Sequence, residues 1–229
     1  MNPPSLSTLS LSLEQGIAEI RLNRPDKSNA MNDAMWQEIR QAFDWVDATP
    51  EARVAILSGA GRNFCAGIDL TLLAGIQQRI AHPDAARSRE ALRRLILDLQ
   101  DCLSSVERCR KPVLAAIQGA CIGGALDLVT SCDMRYAAAD AVFSVREIDL
   151  GMVADVGTLQ RLPRLIPEGV ARELAFTGRN FLAEEGERLG LINRVFASHE
   201  ALTAAVRELA QGIAAKSPLA TRGIKEVMN

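Results

Sequence analysis

The residues best suited to chemistry in this sequence are acids that stand among apolar neighbours. Residues 146–158 contain three acids, and two of them, Glu147 and Asp155, are flanked by Ile, Val, Met and Ala. Such neighbours indicate burial, and a buried carboxylate is costly unless it is paired or functional. The third acid, Asp149, is expected to face solvent. Each acid taken singly is more often a helix cap or a surface group, so the segment needs support from elsewhere in the chain.

Two glycine-rich segments could bring backbone N–H groups close to a ligand. Residues 59–64 begin like a dinucleotide-binding turn, but the third glycine and the following helix pattern are missing, so we reject that interpretation. Residues 118–127 lead from a strand pattern into a short helix and contain Gly119, Gly123 and Gly124. Glycine allows close backbone approach, and a helix N-terminus offers unpaired N–H groups to an anion. A tight structural turn explains this segment equally well on its own.

The composition limits the classes of protein to consider. The chain has 229 residues, of which 48% are hydrophobic, and its net charge is -2. That length can bury a full core, and the charge gives no broad basic surface for nucleic acid. The five cysteines form no CxxC pair and indicate reduced thiols. With only two histidines, His82 and His199, a histidine-rich metal site is excluded and any acid–base catalysis falls to carboxylates.

The sequence contains no signal for a membrane or for secretion. No run of about 18 apolar residues predicts a transmembrane helix. The first 12 residues lack the patterns of a secretory signal or a mitochondrial presequence. We therefore expect a cytoplasmic protein without a membrane partner.

The elements that must position the acids and glycines alternate between strands and helices. Residues 9–14 and 17–22 alternate apolar and polar side chains around Gln15-Gly16, which predicts a hairpin. Residues 32–47 and 92–106 carry apolar stripes at helical spacing, and the second helix ends before Pro112. The other predicted elements are strands at 54–57, 113–117, 133–137 and 142–145 and helices at 125–132, 168–177, 184–189 and 199–215. This alternation predicts an α/β fold with covered sheets.

Four stretches together resemble the enoyl-CoA hydratase/isomerase, or crotonase, superfamily. They are residues 22–32, 64–70, 122–125 and 155–163, in the family's order. The resemblance implies one crotonase-like domain over residues 1–229, with a ββα spiral of two roughly perpendicular sheets at about 9–197. A helical trimerisation part at about 198–229 would follow, incomplete because family members usually continue further. It also implies an acyl-CoA thioester ligand, no separate cofactor, no metal, and a homotrimer or a hexamer made of two trimers.

The resemblance also implies where the ligand would bind. By motif position, the backbone N–H groups of Ile68 and Gly124 would form an oxyanion hole for the thioester oxygen. Taking a proton beside a thioester makes an enolate, and fixed donors stabilise that oxygen. The positive end of the short helix at Gly124 would add to this. The residues expected to bind substrate and CoA are Lys27, Ser28, Asn29, Ala30, Ala66, Gly67, Asp69, Leu70 and Gly123.

The acids indicate an activity within the family. By resemblance, the hydratases of this family have two glutamates, at the positions of Asp127 and Glu147, that hold a water molecule. They have glycine at the position of Asp155. Here the first acid is an aspartate and a third acid is present. Three acids at 127, 147 and 155 resemble the dienoyl-CoA isomerase branch, which moves the double bonds of a 3,5-dienoyl-CoA to give a 2,4-dienoyl-CoA.

The chemistry of that isomerisation accounts for a third acid. Loss of a C2 proton gives a dienolate conjugated through to C6, and protonation at C6 completes the shift. The two carbons are several bonds apart, so two carboxyls are needed, one ionised and one protonated. We assign Glu147 to C2, Asp155 to C6, and Asp127 to orienting Glu147 by a hydrogen bond. The reversed assignment of Glu147 and Asp155 stays open.

Two other functions stay open at this stage. An enoyl-CoA hydratase would use the same site and would add water to a 2-enoyl-CoA. Some crotonase-like proteins bind RNA, and the predicted helix at 86–110 carries arginines at 87, 89, 93, 94, 108 and 110. A solvent-exposed helix face explains these six arginines. We therefore expect no nucleic-acid partner.

Overall fold

The computed structural model describes residues 3–229, in which the chain forms two sheets surrounded by helices. The strands are β1 Leu9–Glu14, β2 Ile17–Leu22, β3 Val54–Gly59, β4 Val113–Ile117, β5 Ala120–Ile122, β6 Met134–Ala138, β7 Val142–Ser144, β8 Phe181–Leu182 and β9 Arg194–Phe196. The helices are α1 Asp33–Ala48, α2 Leu70–Ile80, α3 Ala85–Arg108, α4 Gly124–Thr130, α5 Thr158–Leu165, α6 Glu168–Thr177, α7 Ala183–Leu189, α8 His199–Ala214 and α9 Pro218–Met228.

The larger sheet has the strand order β1-β2-β3-β4-β6-β9, and the smaller sheet has the order β5-β7-β8. In the larger sheet only the β1–β2 pair is antiparallel, because a two-residue turn joins these strands. Gln15 and Gly16 both have positive φ, as this kind of turn requires. The predicted hairpin and the predicted α/β fold with two sheets are confirmed.

Helices cover both faces of the larger sheet. Along β3, Val54 and Ile56 pack in a cluster with α8, whereas Ala55 and Leu57 belong to the larger core that includes α1 and α3. Strands buried on both faces are apolar throughout, which explains the short continuous apolar runs in the sequence. Across residues 3–229 no helix is both long and apolar enough to cross a membrane.

Helices α2 and α5 lie outside the sequence prediction, and α9 falls within the helical part at about 198–229 that only the family resemblance implied. Helix α5 contains Pro163 and begins directly after Gly157, two residues that normally interrupt a helix. Helices α2 and α9 expose much of their apolar surface, with Leu70 66% exposed and Val227 88% exposed. Their apolar residues therefore do not mark a buried stripe that periodicity could detect.

A buried asparagine fastens the loop between β2 and α1 to the end of β3. The side chain of Asn29 donates through Nδ2 to the backbone carbonyls of Ala60, Asn63 and Phe64, at 2.9–3.0 Å. Its Oδ1 accepts from the N–H of Arg24 at 2.8 Å. These side-chain hydrogen bonds hold residues 24–31 against the segment that follows β3.

We expect Asn29→Ala to lower the free energy of unfolding by about 2–4 kcal/mol, because buried carbonyls and an N–H lose their partner. Urea denaturation followed through the fluorescence of Trp36 and Trp45 measures this change. Asn23→Ala is the matched control, since Asn23 is exposed, and we expect it to change stability by less than about 0.5 kcal/mol. Equal losses in the two variants would show that Asn29 does not fasten the loop.

Candidate active site

Short backbone pairings bring distant segments together near the N-terminus of α4. The N–H of Met31 donates to the carbonyl of Gly67 at 2.8 Å, and the N–H of Asp69 donates to the carbonyl of Met31 at 3.0 Å. This parallel bridge places Ile68 opposite Met31. No hydrogen bond within residues 3–229 uses the N–H of Ile68, so this donor stays free.

A second pairing lays residues 65–68 against the glycine-rich segment. The N–H of Cys65 donates to Ala120 at 2.9 Å, and its carbonyl accepts from Ile122 at 3.2 Å. Gly67 has φ +92°, and a Cβ there would lie 2.5 Å from the carbonyl oxygen of Ile122 and 3.4 Å from the nitrogen of Gly124. Glycine is therefore required at 67, because any side chain would push the two segments apart.

The N-terminus of α4 supplies a second free donor. Gly124 is the first residue of this helix, where backbone N–H groups have no partner within the helix. The N–H of Gly123 donates to the carbonyl of Ser144 at 2.9 Å, whereas none of the hydrogen bonds among the described residues uses the N–H of Gly124. The structure thus brings the free N–H groups of Ile68 and Gly124 onto neighbouring segments.

The residues expected to line a CoA groove differ in what their side chains can reach. Lys27, Ala66 and Leu70 are exposed, whereas Asn29 is fully buried and already hydrogen-bonded. Ser28 and Asn29 both have left-handed φ values, +48° and +55°, which is uncommon outside glycine. The Ser28 carbonyl accepts from the N–H of Ala66 at 2.9 Å, which joins the two segments.

Asp69 and Ala30 are held by the protein itself. The Asp69 carboxylate caps α2 through the N–H of Thr71 and pairs with Arg24 at 3.0 Å. The hydrogen bond from the Thr71 N–H, followed by that from Arg24, lowers the pKa of Asp69. The same guanidinium donates to the carbonyl of Ala30. Asp69 is therefore a fixed anion that anchors Arg24.

Asp127 is fully buried near the start of α4. Its Oδ1 accepts from the N–H of Thr158 at 2.5 Å, while its Oδ2 is buried and has no hydrogen-bond partner among the described residues. Burial raises the pKa of Asp127 to about 6, although the hydrogen bond from the Thr158 N–H and the positive charge of Arg161 both lower it. This carboxyl therefore titrates near neutral pH.

Glu147 begins a 3-10 turn, Glu147–Leu150, after β7. Its Oε1 would lie 3.0 Å from a Cβ on Gly123, so its carboxyl rests against the residue just before Gly124. Its Oε2 is buried without a hydrogen-bond partner among residues 3–229. Burial, and then the charge of Asp127, raise the pKa of Glu147 to about 7. This acid lies beside the free donor at the start of α4.

The expected hydrogen bond between Asp127 and Glu147 is wrong. Within the described residues, Asp127 bonds to Thr158 instead, because the N-terminus of α5 supplies an unpaired N–H. The two acids interact through their charges, since Asp127 raises the pKa of Glu147. Orientation of one acid by the other would therefore act through charge.

The expected burial of Asp155 is also wrong. Asp155 is exposed because it lies in the turn before α5. The nearby Val153 is also 68% exposed. Gln100 of α3 donates to the backbone carbonyl of Asp155 at 2.5 Å and holds this turn. Partial burial of the carboxyl still raises the pKa of Asp155, and its charge raises the pKa of Asp127 and of Glu147. The structure thus joins all three acids in one electrostatic group.

The sequence analysis missed two residues that act on this group, Thr158 and Arg161. A glycine followed by threonine after an acid is a signal for a helix N-terminus, but Pro163 obscured the helix. No three His, Cys, Asp or Glu side chains within the described part of the chain are arranged to hold a metal ion.

Comparison with known proteins gives relatives over nearly the whole chain. The chain is 45% identical to the Delta(3,5)-Delta(2,4)-dienoyl-CoA isomerase, peroxisomal, of Arabidopsis thaliana, over 98% of this chain and 81% of that protein. It is 44% identical to the Delta(3,5)-Delta(2,4)-dienoyl-CoA isomerase, mitochondrial, of Homo sapiens, over 93% of this chain and 66% of that protein.

These relatives overturn the expectation of a cytoplasmic location. The plant protein is named peroxisomal and the human protein mitochondrial. Targeting signals are short addresses read by receptors, and neither composition nor the pattern of the folded domain encodes them. The absence of a recognised signal was therefore a poor guide to the compartment.

The fold and the family are shown independently. A crystal structure of an enoyl-CoA hydratase/isomerase from Xanthobacter autotrophicus Py2 matches with a TM-score of 0.88 and 31% identity, over 98% of this chain and 79% of that one. The predicted crotonase-like fold is thereby confirmed. The family model described as Enoyl-CoA hydratase/isomerase matches residues 12–229. With its motifs, its fold and its relatives in agreement, this chain belongs to the enoyl-CoA hydratase/isomerase family.

Proposed function

We propose that this protein is an acyl-CoA isomerase that converts a 3,5-dienoyl-CoA to a 2,4-dienoyl-CoA. The observation that carries the proposal is the group of three acids, Asp127, Glu147 and Asp155, whose charges interact beside free backbone donors. Relatives at 44–45% identity carry the name Delta(3,5)-Delta(2,4)-dienoyl-CoA isomerase, which supports the same activity. A CoA thioester is the substrate class that the family binds.

The N–H groups of Ile68 and Gly124 form the oxyanion hole in this proposal. Both are free of hydrogen bonds among residues 3–229, and Gly67 permits the close approach of their segments. When a proton leaves C2, negative charge develops on the thioester oxygen. Two fixed donors stabilise that charge without reorganising during the reaction, which is commonly the largest single contribution to such catalysis.

Glu147 removes the proton from C2. Its carboxyl lies against Gly123, next to the donor of Gly124, and so beside the carbon that adjoins the thioester. A base works best when its pKa lies near the working pH, and the pKa of Glu147 is about 7. The C2–H bond breaks, and its electron pair spreads over the thioester oxygen and along the chain to C6.

Asp155 delivers a proton to C6. Its raised pKa favours the protonated form relative to an ordinary aspartate, and its exposure allows it to exchange protons with solvent. After turnover Glu147 holds a proton and Asp155 is ionised, so proton exchange between the acids and solvent restores the starting state. Asp127 stays buried and sets the charge that Glu147 experiences.

One observation favours a second candidate, hydration of a 2-enoyl-CoA. Asp127 Oδ2 and Glu147 Oε2 are both buried without hydrogen-bond partners among the described residues. Two such oxygens could hold a water between them, as the water-adding members of the family would require. Offering the protein a 2-enoyl-CoA and a 3,5-dienoyl-CoA in parallel, with both reactions followed by ultraviolet absorbance, distinguishes the two activities.

Assembly into a trimer, or a hexamer of two trimers, forms part of the proposal. Helix α9 leaves Leu219, Ile224, Val227 and Met228 between 61% and 88% exposed. A contiguous apolar surface of this kind is typical of a face covered by a partner.

We propose no cofactor beyond the coenzyme A of the substrate itself.

We expect Asp155→Asn to lower the rate of 3,5 to 2,4 isomerisation by about 10²–10⁴-fold and to leave thioester binding close to normal, because only the proton donor at C6 is lost. Ultraviolet absorbance of the conjugated product measures the rate, and calorimetry measures binding. Asp149→Asn is the matched control, since Asp149 is an exposed acid in the neighbouring turn. Activity of Asp155→Asn within threefold of the parent would remove Asp155 from the mechanism.

We expect a bell-shaped dependence of kcat/KM on pH, because Glu147 must be ionised to accept the C2 proton and Asp155 must be protonated to deliver a proton to C6. Asp127→Asn removes a like charge that raises the pKa of Glu147, so the limb of the profile that reports Glu147 should move to lower pH. Glu147→Gln should cost more activity than Asp127→Asn, and the double variant should be little worse than Glu147→Gln. Rate measurements between pH 5 and 9 test all of these points, and equal, additive losses would favour the water-adding activity instead.

A further inference from the structure

An arginine of α5 lies over the turn that carries the third acid. Arg161 is in the first turn of this helix, and its guanidinium folds back toward the helix N-terminus. Gly157 precedes the helix with φ +133°, and a Cβ there would lie 1.7 Å from Nη1 of Arg161. Only glycine leaves room for the guanidinium at this place, so Gly157 and Arg161 depend on each other.

Helix α3 holds the other side of the same guanidinium. Nε and Nη2 of Arg161 donate to Glu107 at 3.1 and 2.8 Å, and Nη2 also donates to Ser104 at 3.2 Å. The side chain is only 12% exposed. None of the hydrogen bonds within residues 3–229 uses Nη1, the nitrogen that lies over Gly157. Glu107 and Ser104 thus hold the guanidinium from one side, and Nη1, which has no hydrogen bond among the described residues, faces the start of α5.

Several charged or titratable groups act on Asp127, which also contacts the start of α5. Glu147 comes from the 3-10 turn, Asp155 from the turn before α5, and the Cys121 thiol from β5. The first two are acids that oppose ionisation of Asp127, and the buried thiol stays neutral because burial raises its pKa. Arg161 supplies positive charge, which favours the ionised carboxylate.

We propose that Arg161 is a positioning residue for the isomerisation: laid over Gly157, next to the Thr158 whose N–H donates to Asp127, and fixed by Glu107, it stabilises the anion of Asp127 beside Glu147 and so makes Glu147 the stronger base of the two. This inference rests on the proposed function for its catalytic meaning. Its electrostatic content concerns the protein without substrate and can be measured there.

The direction of the effect follows from how two coupled carboxyls share a proton. The pair takes up protons as a unit, and the acid with the less stabilised anion holds the proton. Burial raises the pKa of Asp127 to about 6, whereas hydrogen bonding to Thr158 and the charge of Arg161 lower it. The pKa of Glu147 is about 7. Without Arg161 the pKa of Asp127 rises, its charge is lost near neutral pH, and the pKa of Glu147 falls. Glu147 then becomes a weaker base for C2.

The test compares Arg161→Gln with Glu107→Gln and Arg161→Lys. Arg161→Gln removes the positive charge. Glu107→Gln removes the charge of the ion-pair partner, but its amide oxygen can still accept from Arg161, so the guanidinium keeps its place. Arg161→Lys keeps a positive charge and loses the planar donors. Carboxyl ¹³C NMR of the substrate-free protein, with assignment through Asp127→Asn and Glu147→Gln, follows each titration directly.

We expect Arg161→Gln to move the Asp127 midpoint to higher pH and the Glu147 midpoint to lower pH, each by about one pH unit. Glu107→Gln should move the Asp127 midpoint to lower pH, because the positive charge of Arg161 is then no longer offset by its ion-pair partner. Arg161→Lys should stay near the parent. In the isomerisation assay, the limb of the kcat/KM profile that reports Glu147 should move with the Glu147 midpoint in Arg161→Gln, and the maximum should fall by roughly threefold to tenfold, because a weaker base transfers protons more slowly.

Midpoints that stay within 0.2 pH unit of the parent in Arg161→Gln would overturn the proposal. So would equal displacements in Arg161→Gln and Glu107→Gln, since these would reflect a loosened helix rather than a lost charge. If Arg161→Gln does not fold, Glu107→Gln decides the matter: an Asp127 midpoint that moves to lower pH supports the proposal, and an unchanged midpoint overturns it. If the titrations behave as expected while no 3,5-dienoyl-CoA is isomerised, the proposed function fails and the electrostatic role of Arg161 stands.

Discussion

Two carboxyl groups buried side by side set the main constraint on this structure. Removing a carboxylate from water is costly, and a second negative charge nearby increases the cost. The fold offsets this cost at Asp127, where the first N–H of α5 donates to one oxygen and Arg161 adds positive charge. At Glu147, whose Oε2 has no hydrogen-bond partner among the described residues, burial and then the charge of Asp127 make the pKa the higher of the two. In the proposed mechanism, this unequal stabilisation of two carboxylates makes Glu147 the base and Asp127 the fixed anion.

The free backbone donors depend on a different constraint, the close approach of chain segments that are distant in sequence. Gly67 lies between the carbonyl of Ile122 and the nitrogen of Gly124, and a side chain there would separate them. The bridge at Met31 fixes Ile68 from the other side, and Asn29 fastens the loop that carries Met31. Gly67 and Asn29, which were expected to bind substrate or CoA, thus also hold the surrounding backbone segments in place. Backbone hydrogen bonds of the neighbouring residues hold both segments in place, while the two donors stay unpaired among the described residues.

The acids differ in access to solvent as well as in charge. Asp155 is exposed, whereas Asp127 is fully buried, and Glu147 lies between these extremes. In the proposed isomerisation, the exposed acid exchanges its proton with solvent and the buried acid never needs to. Gln100 and the α5 N-terminus place the exposed acid near the others without burying it. One turn of chain therefore supplies both a reactive carboxyl and the helix end that stabilises a neighbouring one.

The sequence by itself determined the elements whose signals are local. The hairpin at Gln15-Gly16 follows from alternation and turn chemistry, the buried strands follow from short apolar runs, and the family follows from four motifs of which the last contains Asp155. Tertiary structure alone decided what each acid contacts. Asp127 bonds to Thr158 rather than to Glu147, and Asp155 is exposed despite its apolar neighbours. The physical reason is that burial and charge depend on atoms brought from other parts of the chain, which spacing along the sequence does not encode.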